Sequence, residues 1–315
     1  MSSITAKAIP AKAGALPTQP VRRRAKVDRS HWVGLLYIAP AIVLVTVFFV
    51  IPLGMTAWMS LHNWPLMGQH RFIGLDNYIA ITKDVRFWNA LKFTLYYTVI
   101  VTIAIFAVAF PLALFVEKPR PMASVYRTAF FMPVVVGFAS ASLLWAWLLN
   151  VDSGLFSPAA QMLGLTDRKF NLIATFNPAF WSIIVMVVWK VAGFTMVILM
   201  TGLQSIPTEL QEAAKIDGAN AWQRFRAITL PLMRRTLALA LILSVAGSIL
   251  AFDQFYILLR GGPRNSTITA VYWIFNQSFV SFKLGYGAAL SMVLLVILVV
   301  LSLIQLRLLR NPEGT

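Results

Sequence analysis

Runs of apolar residues long enough to cross a lipid bilayer recur six times along the chain, at roughly 33–58, 93–116, 128–149, 178–203, 236–259 and 286–309. A membrane helix needs about 20 such residues at 1.5 Å of rise each. These runs are apolar all round rather than along one stripe, which suits lipid and not the surface of a soluble core. The pattern predicts an all-α integral membrane protein with about six transmembrane helices. One further stretch, 268–282, is aromatic, holds Asn276, Gln277 and Ser278, and falls short of a span. It reads as an external or re-entrant segment, with a seventh span as the alternative. Pro40, Pro52, Pro111 and Pro133 lie in or beside the runs and predict bends whose freed carbonyls must find new partners.

Composition narrows the chemistry. Residues of the AVILMFWYC set make up 59% of the chain and charged residues 12%, where a soluble domain carries about 25% charged. Cysteine is absent, which excludes disulfides, thiolate catalysis and Cys-bound zinc. His31, His62 and His70 are scattered, with no His-Glu-x-x-His pair. The chain contains no Gly-Lys dipeptide and so no Walker A loop. If nucleotide drives its work, another chain binds it. No bond chemistry is expected of this one.

The first thirty residues, rich in Ala, Pro, Lys and Arg, read as a solvated, disordered basic tail. Arg22, Arg23, Arg24 and Lys26 precede an apolar run, as in a signal peptide. That run continues through Pro52 towards Trp58, beyond a 7–15-residue signal core, and shows no small-residue cleavage site. It is expected to be an uncleaved first span. The membrane domain then covers 31–310, with a short tail at 311–315.

Counting Lys and Arg sets the orientation. With the N-terminus inside, segments on the inner side carry 17 and those on the outer side nine, with Lys190 left inside a span. Both termini are therefore expected in the cytoplasm. The basic residues flank hydrophobic segments instead of forming one groove, so the net charge of +16 does not indicate nucleic acid.

The fourth and fifth spans are joined by a polar loop over 204–235. Pro207 stops the fourth span, and Thr208 is placed to cap a short helix over 209–216, with Gln211 at the capping-box position. Asp217-Gly218 is a turn signal. A second amphipathic helix is expected next, with Trp222, Phe225 and Ile228 spaced three apart, before Pro231 leads into the fifth span. A helix–turn–helix on a membrane surface is a docking element.

Within that loop, Glu212-Ala213-Ala214, three residues, Gly218, nine residues, Ile228, one residue and Leu230-Pro231 resemble the Glu-Ala-Ala motif of bacterial ABC importer permeases. Phe72-Ile73-Gly74-Leu75-Asp76-Asn77-Tyr78, Leu203-Gln204-Ser205-Ile206-Pro207, Ile216-Asp217-Gly218-Ala219, Phe252-Asp253 and Gly261-Gly262-Pro263 add to it. Together they are similar to the carbohydrate-uptake branch, the permeases for maltose, other oligosaccharides and glycerol 3-phosphate. The resemblance covers about 32–310. It implies a type I importer permease bundle in the bacterial inner membrane, working by alternating access. It also implies the partners: a second homologous permease subunit, two ATP-binding subunits that hold ATP and magnesium, and a periplasmic or extracellular solute-binding protein. Glu212, Ala213, Ala214, Asp217, Gly218, Ile228, Leu230 and Pro231 would then carry the coupling to the ATPase. The alanines allow close approach, Glu212 can pair with a basic residue, and Gly218 permits a turn that a Cβ would hinder. Some relatives carry extra N-terminal spans or a large external domain, neither of which is read here.

A solute path is sought among polar and aromatic residues of the spans. Lys190, beside Trp189, sits near the middle of the fourth span, where a lysine costs about 2.5–3.5 kcal/mol on insertion scales. Asp253 lies on the fifth span about 9 Å outward of its middle. Three readings stand for Lys190: an ion pair with Asp253 that fixes helix packing, a polar contact to solute hydroxyls, or a lipid-facing side chain that snorkels. Tyr256, Asn276 and Gln277 complete the candidates, with aromatic belts and interhelical hydrogen bonds as their ordinary explanation. Gly193, Gly202 and Gly247 serve either close helix packing or motion. The rival function is an ion-coupled secondary transporter of a small polar solute, which would call for more buried acids than Asp253.

Overall fold

The structure, a computed structural model, describes residues 30–118, 121–164 and 171–309. The basic tail over 1–29, Arg310 and the tail at 311–315 lie outside the described residues. The chain divides into two units, Met1–Leu53 and Gly54–Thr315. In the first, the helix Ser30–Val45 carries Pro40 and runs into a widened turn at Thr46–Val50. Apolar residues continue without a charge across Tyr37–Ser60, long enough to cross a membrane.

The second unit holds the other spans. The helix Val85–Glu117 starts eight residues before the apolar run, because Asp84 caps it: Oδ1 accepts the backbone N–H groups of Arg86 at 3.0 Å and Phe87 at 3.1 Å. At 33 residues it is roughly 50 Å long. It packs along Phe176–Gln204, and the two bury a shared core that includes Tyr97, Val101, Ile105, Ile183 and Met186. Nearer the 205–235 loop, Ala109, Ala113, Met196, Leu199 and Met233 form a second core. Leu284–Leu309, the last span, packs on Arg234–Ile249.

Two of the expected spans are not single helices. The third is a pair, Ala123–Val135 and Phe138–Leu148, bent by 94°. Val136 and Gly137 between them are extended, with ψ of 130° and 150°, and Pro133 lies in the turn before. Among the described residues five segments are long and apolar enough to cross a membrane, Arg234–Leu259 among them despite an internal break, or six if the bent pair crosses as one span. The fifth helix, Arg234–Ile249, stops at Leu250 and resumes as a wide turn over Gln254–Leu259. No Pro or Gly marks this break. The hydroxyl of Thr269 donates to the freed carbonyl of Ala251 at 2.9 Å.

The segment at 268–282 is a short helix, Ala270–Phe275, capped by Thr269 and extended by the turn Asn276–Val280. It lies against Val85–Glu117 and the last span, with Ala270, Tyr272 and Trp273 buried. The motif at 72–78 also has a structural basis. Buried Asn77 donates to the carbonyls of Ser60 at 2.8 Å and His62 at 3.0 Å, and pins a small hairpin that pairs His62 with Phe72.

Candidate functional site

The loop after the fourth span folds as two helices joined by a closed turn. The first, Thr208–Ile216, begins one residue earlier than its sequence suggests, with Pro207 at the cap position. Thr208 makes no cap. Gln211 instead turns its amide to the Thr229 hydroxyl at 3.2 Å, which ties the first helix to the second. The capping box sits ahead of the second helix: the Asn220 side chain accepts from Gln223 N–H at 2.9 Å, and Gln223 Oε1 accepts from Asn220 N–H at 2.7 Å. Proline, lacking an N–H and with fixed φ, suits the entry position and displaces the threonine from it.

Gly218 ends the first helix at φ +77°. Its N–H bonds the Lys215 carbonyl at 3.1 Å, and the Ala219 N–H bonds the Ala214 carbonyl at 2.9 Å. That pairing is a Schellman end, which needs a left-handed residue at this position. Arg224 closes the turn by donating to the Ala219 carbonyl at 2.6 Å. Glu212, Ala213 and Asp217 are exposed, Ala214 is half-buried, and Ile216 is 87% exposed. Trp222, 66% exposed, stacks on Phe225, whose ring meets Phe110 of the second span edge-on at 5.5 Å. Ile228 and Pro231 are half-buried and Leu230 is exposed. The turn over Phe225–Thr229 is widened directly ahead of Pro231, a common accommodation of a proline inside a helix.

A cavity of about 320 Å³ lies within the second unit, lined by residues of four spans. Lys190 projects into it from the middle of Phe176–Gln204 and is 5% exposed. Its ammonium donates to the Val134 carbonyl at 2.9 Å and lies 5.0 Å from the centre of the Phe138 ring, rather than pairing with Asp253. Both partners flank the 94° bend, so the lysine caps the C-terminal end of Ala123–Val135, where helix carbonyls are orphaned and a cation is favoured. Tyr97, Ser244, Ser248 and Gln254 add neutral polar groups to the cavity. The Gln254 amide donates to the Tyr97 hydroxyl at 3.3 Å. Gly247 also lines this space, and nothing lies within 4 Å of where its Cβ would stand.

A second, wider cavity of about 570 Å³ opens among Asn77, Asp84, Arg86, Trp273, Gln277 and Tyr286. Asp84 organises it. Besides capping the second span, its Oδ2 accepts from Trp273 Nε1 at 3.0 Å and from the Tyr286 hydroxyl at 2.7 Å. Burial alone would raise the pKa of this carboxyl. The Tyr286, Phe87, Trp273 and Arg86 hydrogen bonds outweigh it and hold the group below its usual value.

Of the path candidates, Lys190 lines the inner cavity and Gln277 the wider one. Trp189 lies beside Trp145 at 6.0 Å. Tyr256 stacks on Phe252 at 5.0 Å in an aromatic cluster with Tyr272 and Phe275. Asp253 and Asn276 are half-buried and line neither cavity. Tyr97, Ser244, Ser248 and Gln254 also line the inner cavity and were not among the residues expected there. The signal was present in Ser244 and Ser248, polar residues four apart on one helix face of an apolar run.

Residues 86–312 match the family described as binding-protein-dependent transport system inner membrane component. The chain is 31% identical over 278 residues to the probable starch degradation products transport system permease protein AmyD of Thermoanaerobacterium thermosulfurigenes, covering 88% of this chain and 94% of that protein. It is 32% identical to the sulfoquinovosyl glycerol transport system permease protein SmoG of Agrobacterium fabrum, over 89% of this chain and 91% of that one. In fold it is similar to a chain of a bacterial alginate ABC transporter in complex with an alginate pentasaccharide-bound periplasmic protein, with a TM-score of 0.78, 20% identity, and 91% and 97% of the two chains covered.

Proposed function

Because the chain belongs to the family of binding-protein-dependent transport system inner membrane components, we propose that its cargo is a saccharide or a related polyol or glycerol phosphate. The family makes it a multi-pass permease subunit of an ATP-driven importer, with ATP hydrolysed by separate subunits. The ion-coupled alternative is not favoured. Relatives named for starch degradation products and for sulfoquinovosyl glycerol support a carbohydrate-derived cargo.

The observation that carries the mechanism is the closed pair of helices at 208–232. It presents Glu212, Ala213 and Ile216 outward and touches the second span through Phe225 and Phe110. In our reading this pair seats in an ATP-binding subunit on the cytoplasmic side. In this reading both termini lie on that side, which the Lys and Arg distribution supports. A second permease subunit, two ATPases that bind ATP and magnesium, and a solute-binding protein complete the assembly. ATP binding draws the ATPases together, the helix pair transmits the movement, and the cavity around Lys190 turns towards the binding protein. Hydrolysis returns it to the cytoplasm. ATP-driven uptake of a saccharide panel in vesicles carrying the co-expressed assembly tests this. Uptake that depends on ATP and on the loaded binding protein supports it, and uptake indifferent to both refutes it.

A further inference from the structure

We infer that the solute crossing the inner cavity carries a negatively charged group, a carboxylate, sulfonate or phosphate on a polyhydroxylated scaffold, and that Lys190 selects it; this rests on the saccharide-permease reading above. Among the residues lining the roughly 320 Å³ space, Lys190 alone is ionisable to a cation or anion at neutral pH. It is 5% exposed, and among the described residues no carboxylate pairs with it. Its two partners are a carbonyl dipole at 2.9 Å and the Phe138 ring at 5.0 Å. An ammonium has three donors, and Val134 occupies one.

The remaining lining fits the rest of such a molecule. The hydroxyls of Tyr97, Ser244 and Ser248 and the amide of Gln254 offer donors and acceptors to sugar hydroxyls. The volume is at the lower end for small-molecule sites, suited to one monosaccharide-sized unit at a time. A neutral unit entering here displaces water from the ammonium and returns only neutral acceptors. An anionic unit returns charge-assisted hydrogen bonds, which are about twice as strong. The cavity therefore discriminates by charge as well as by shape, independently of the binding protein's own choice.

The test uses the whole importer in proteoliposomes, with its partner permease, ATPases and binding protein. The probes are a uronate disaccharide, a hexose phosphate, a sulfonated hexose and maltose. Calorimetry on the binding protein measures its affinity for each, so that uptake is expressed per loaded binding protein. Wild-type uptake is expected to favour at least one anionic probe over maltose, and the three anionic arms separate carboxylate from phosphate and sulfonate. Lys190→Gln keeps an N–H for Val134 and is expected to lower anionic uptake about tenfold, with ATPase stimulation by loaded binding protein retained. Lys190→Arg should stay within about threefold of wild type by keeping the charge. Preference for maltose in the wild type, or an assembled Lys190→Gln importer that carries the anionic probe normally, overturns the inference. If the Gln variant does not assemble, the wild-type preference alone decides. Absence of ATP-driven uptake for every probe, with the binding protein loaded, overturns the saccharide reading and this inference with it.

Discussion

The Tyr286 hydroxyl donates a 2.7 Å hydrogen bond to Oδ2 of Asp84, a residue 202 positions earlier, while Oδ1 of the same carboxylate caps the second span. One side chain thus joins the start of Val85–Glu117, the last span, and, through Trp273, the short helix Ala270–Phe275. Asp84→Ala removes a helix cap and leaves an indole N–H and a phenol without their acceptor. A loss of about 2 kcal/mol is expected, read as a lower melting temperature of the purified assembly in detergent.

The same carboxylate gives a pH dependence. Its pKa is below the ordinary 3.8, so the folded state holds the proton less tightly than the unfolded one. The stabilisation is complete above 3.8 and is lost as pH falls through the lower folded value. Melting temperature should be flat from about pH 7 to about pH 5 and should drop more steeply below about pH 4 in wild type than in Asp84→Asn. Equal slopes in the two proteins would remove Asp84 from the explanation.

Gly218 offers a substitution whose cost is conformational alone. Nothing lies within 4 Å of where its Cβ would stand, yet φ is +77°. Gly218→Ala should cost about 1 kcal/mol, fray the Schellman end and reduce ATP-driven uptake. Gly218→Val should do worse, and Gly218→Asn should be the mildest of the three. Uptake assays at matched membrane levels give the ranking.

Glu212 is exposed on the first loop helix. If the helix pair docks as proposed, Glu212→Lys should leave insertion and folding intact while uncoupling ATP hydrolysis from uptake by tenfold or more, since reversing a charge at that face sets like charges against each other. Pull-down of the ATP-binding subunit with the variant permease shows whether docking or transmission fails.

At Gly193 an added Cβ would run into the Phe130 carbonyl oxygen, stand 2.8 Å from its carbon and 3.0 Å from Phe131 Cα. At Gly202 its nearest neighbours are atoms of the Thr236 side chain, at 2.7 Å. Backbone cannot step aside and a side chain can. Gly193→Ala should therefore destabilise by about 1–3 kcal/mol, and Gly202→Ala by clearly less, with further relief from Thr236→Ser. Thermal melting of the two single variants and the double variant checks the order.

The apolar runs made most of the spans legible, because twenty uncharged residues have few other uses. The turn of the loop was legible too: Gly218 sits where the turn signal put it. Local rivals blurred the caps. Thr208 with Gln211, and Asn220 with Gln223, both fit the pattern, and only the fold shows that Pro207 takes the first position. The two broken helices were harder. Pro133 and Gly137 hint at the first break, but the second is held by Thr269, whose hydroxyl reaches the Ala251 carbonyl across 18 residues. The partner of Lys190 was illegible for the same reason. It is a carbonyl that exists as a free acceptor only because the third span is broken, so no search for an acid in the sequence finds it.

Contact at Gly193 has a mechanical corollary. Where one helix rests directly on the main chain of another, the two can neither slide nor roll without first separating. Ala123–Val135 and the middle of Phe176–Gln204 thus travel as a single rod. The two extended residues, Val136 and Gly137, lie just beyond that contact, and a Cβ on Gly137 would find open space. A two-residue joint thus lies just beyond a rigid contact, and Lys190 reaches across to it through the Val134 carbonyl.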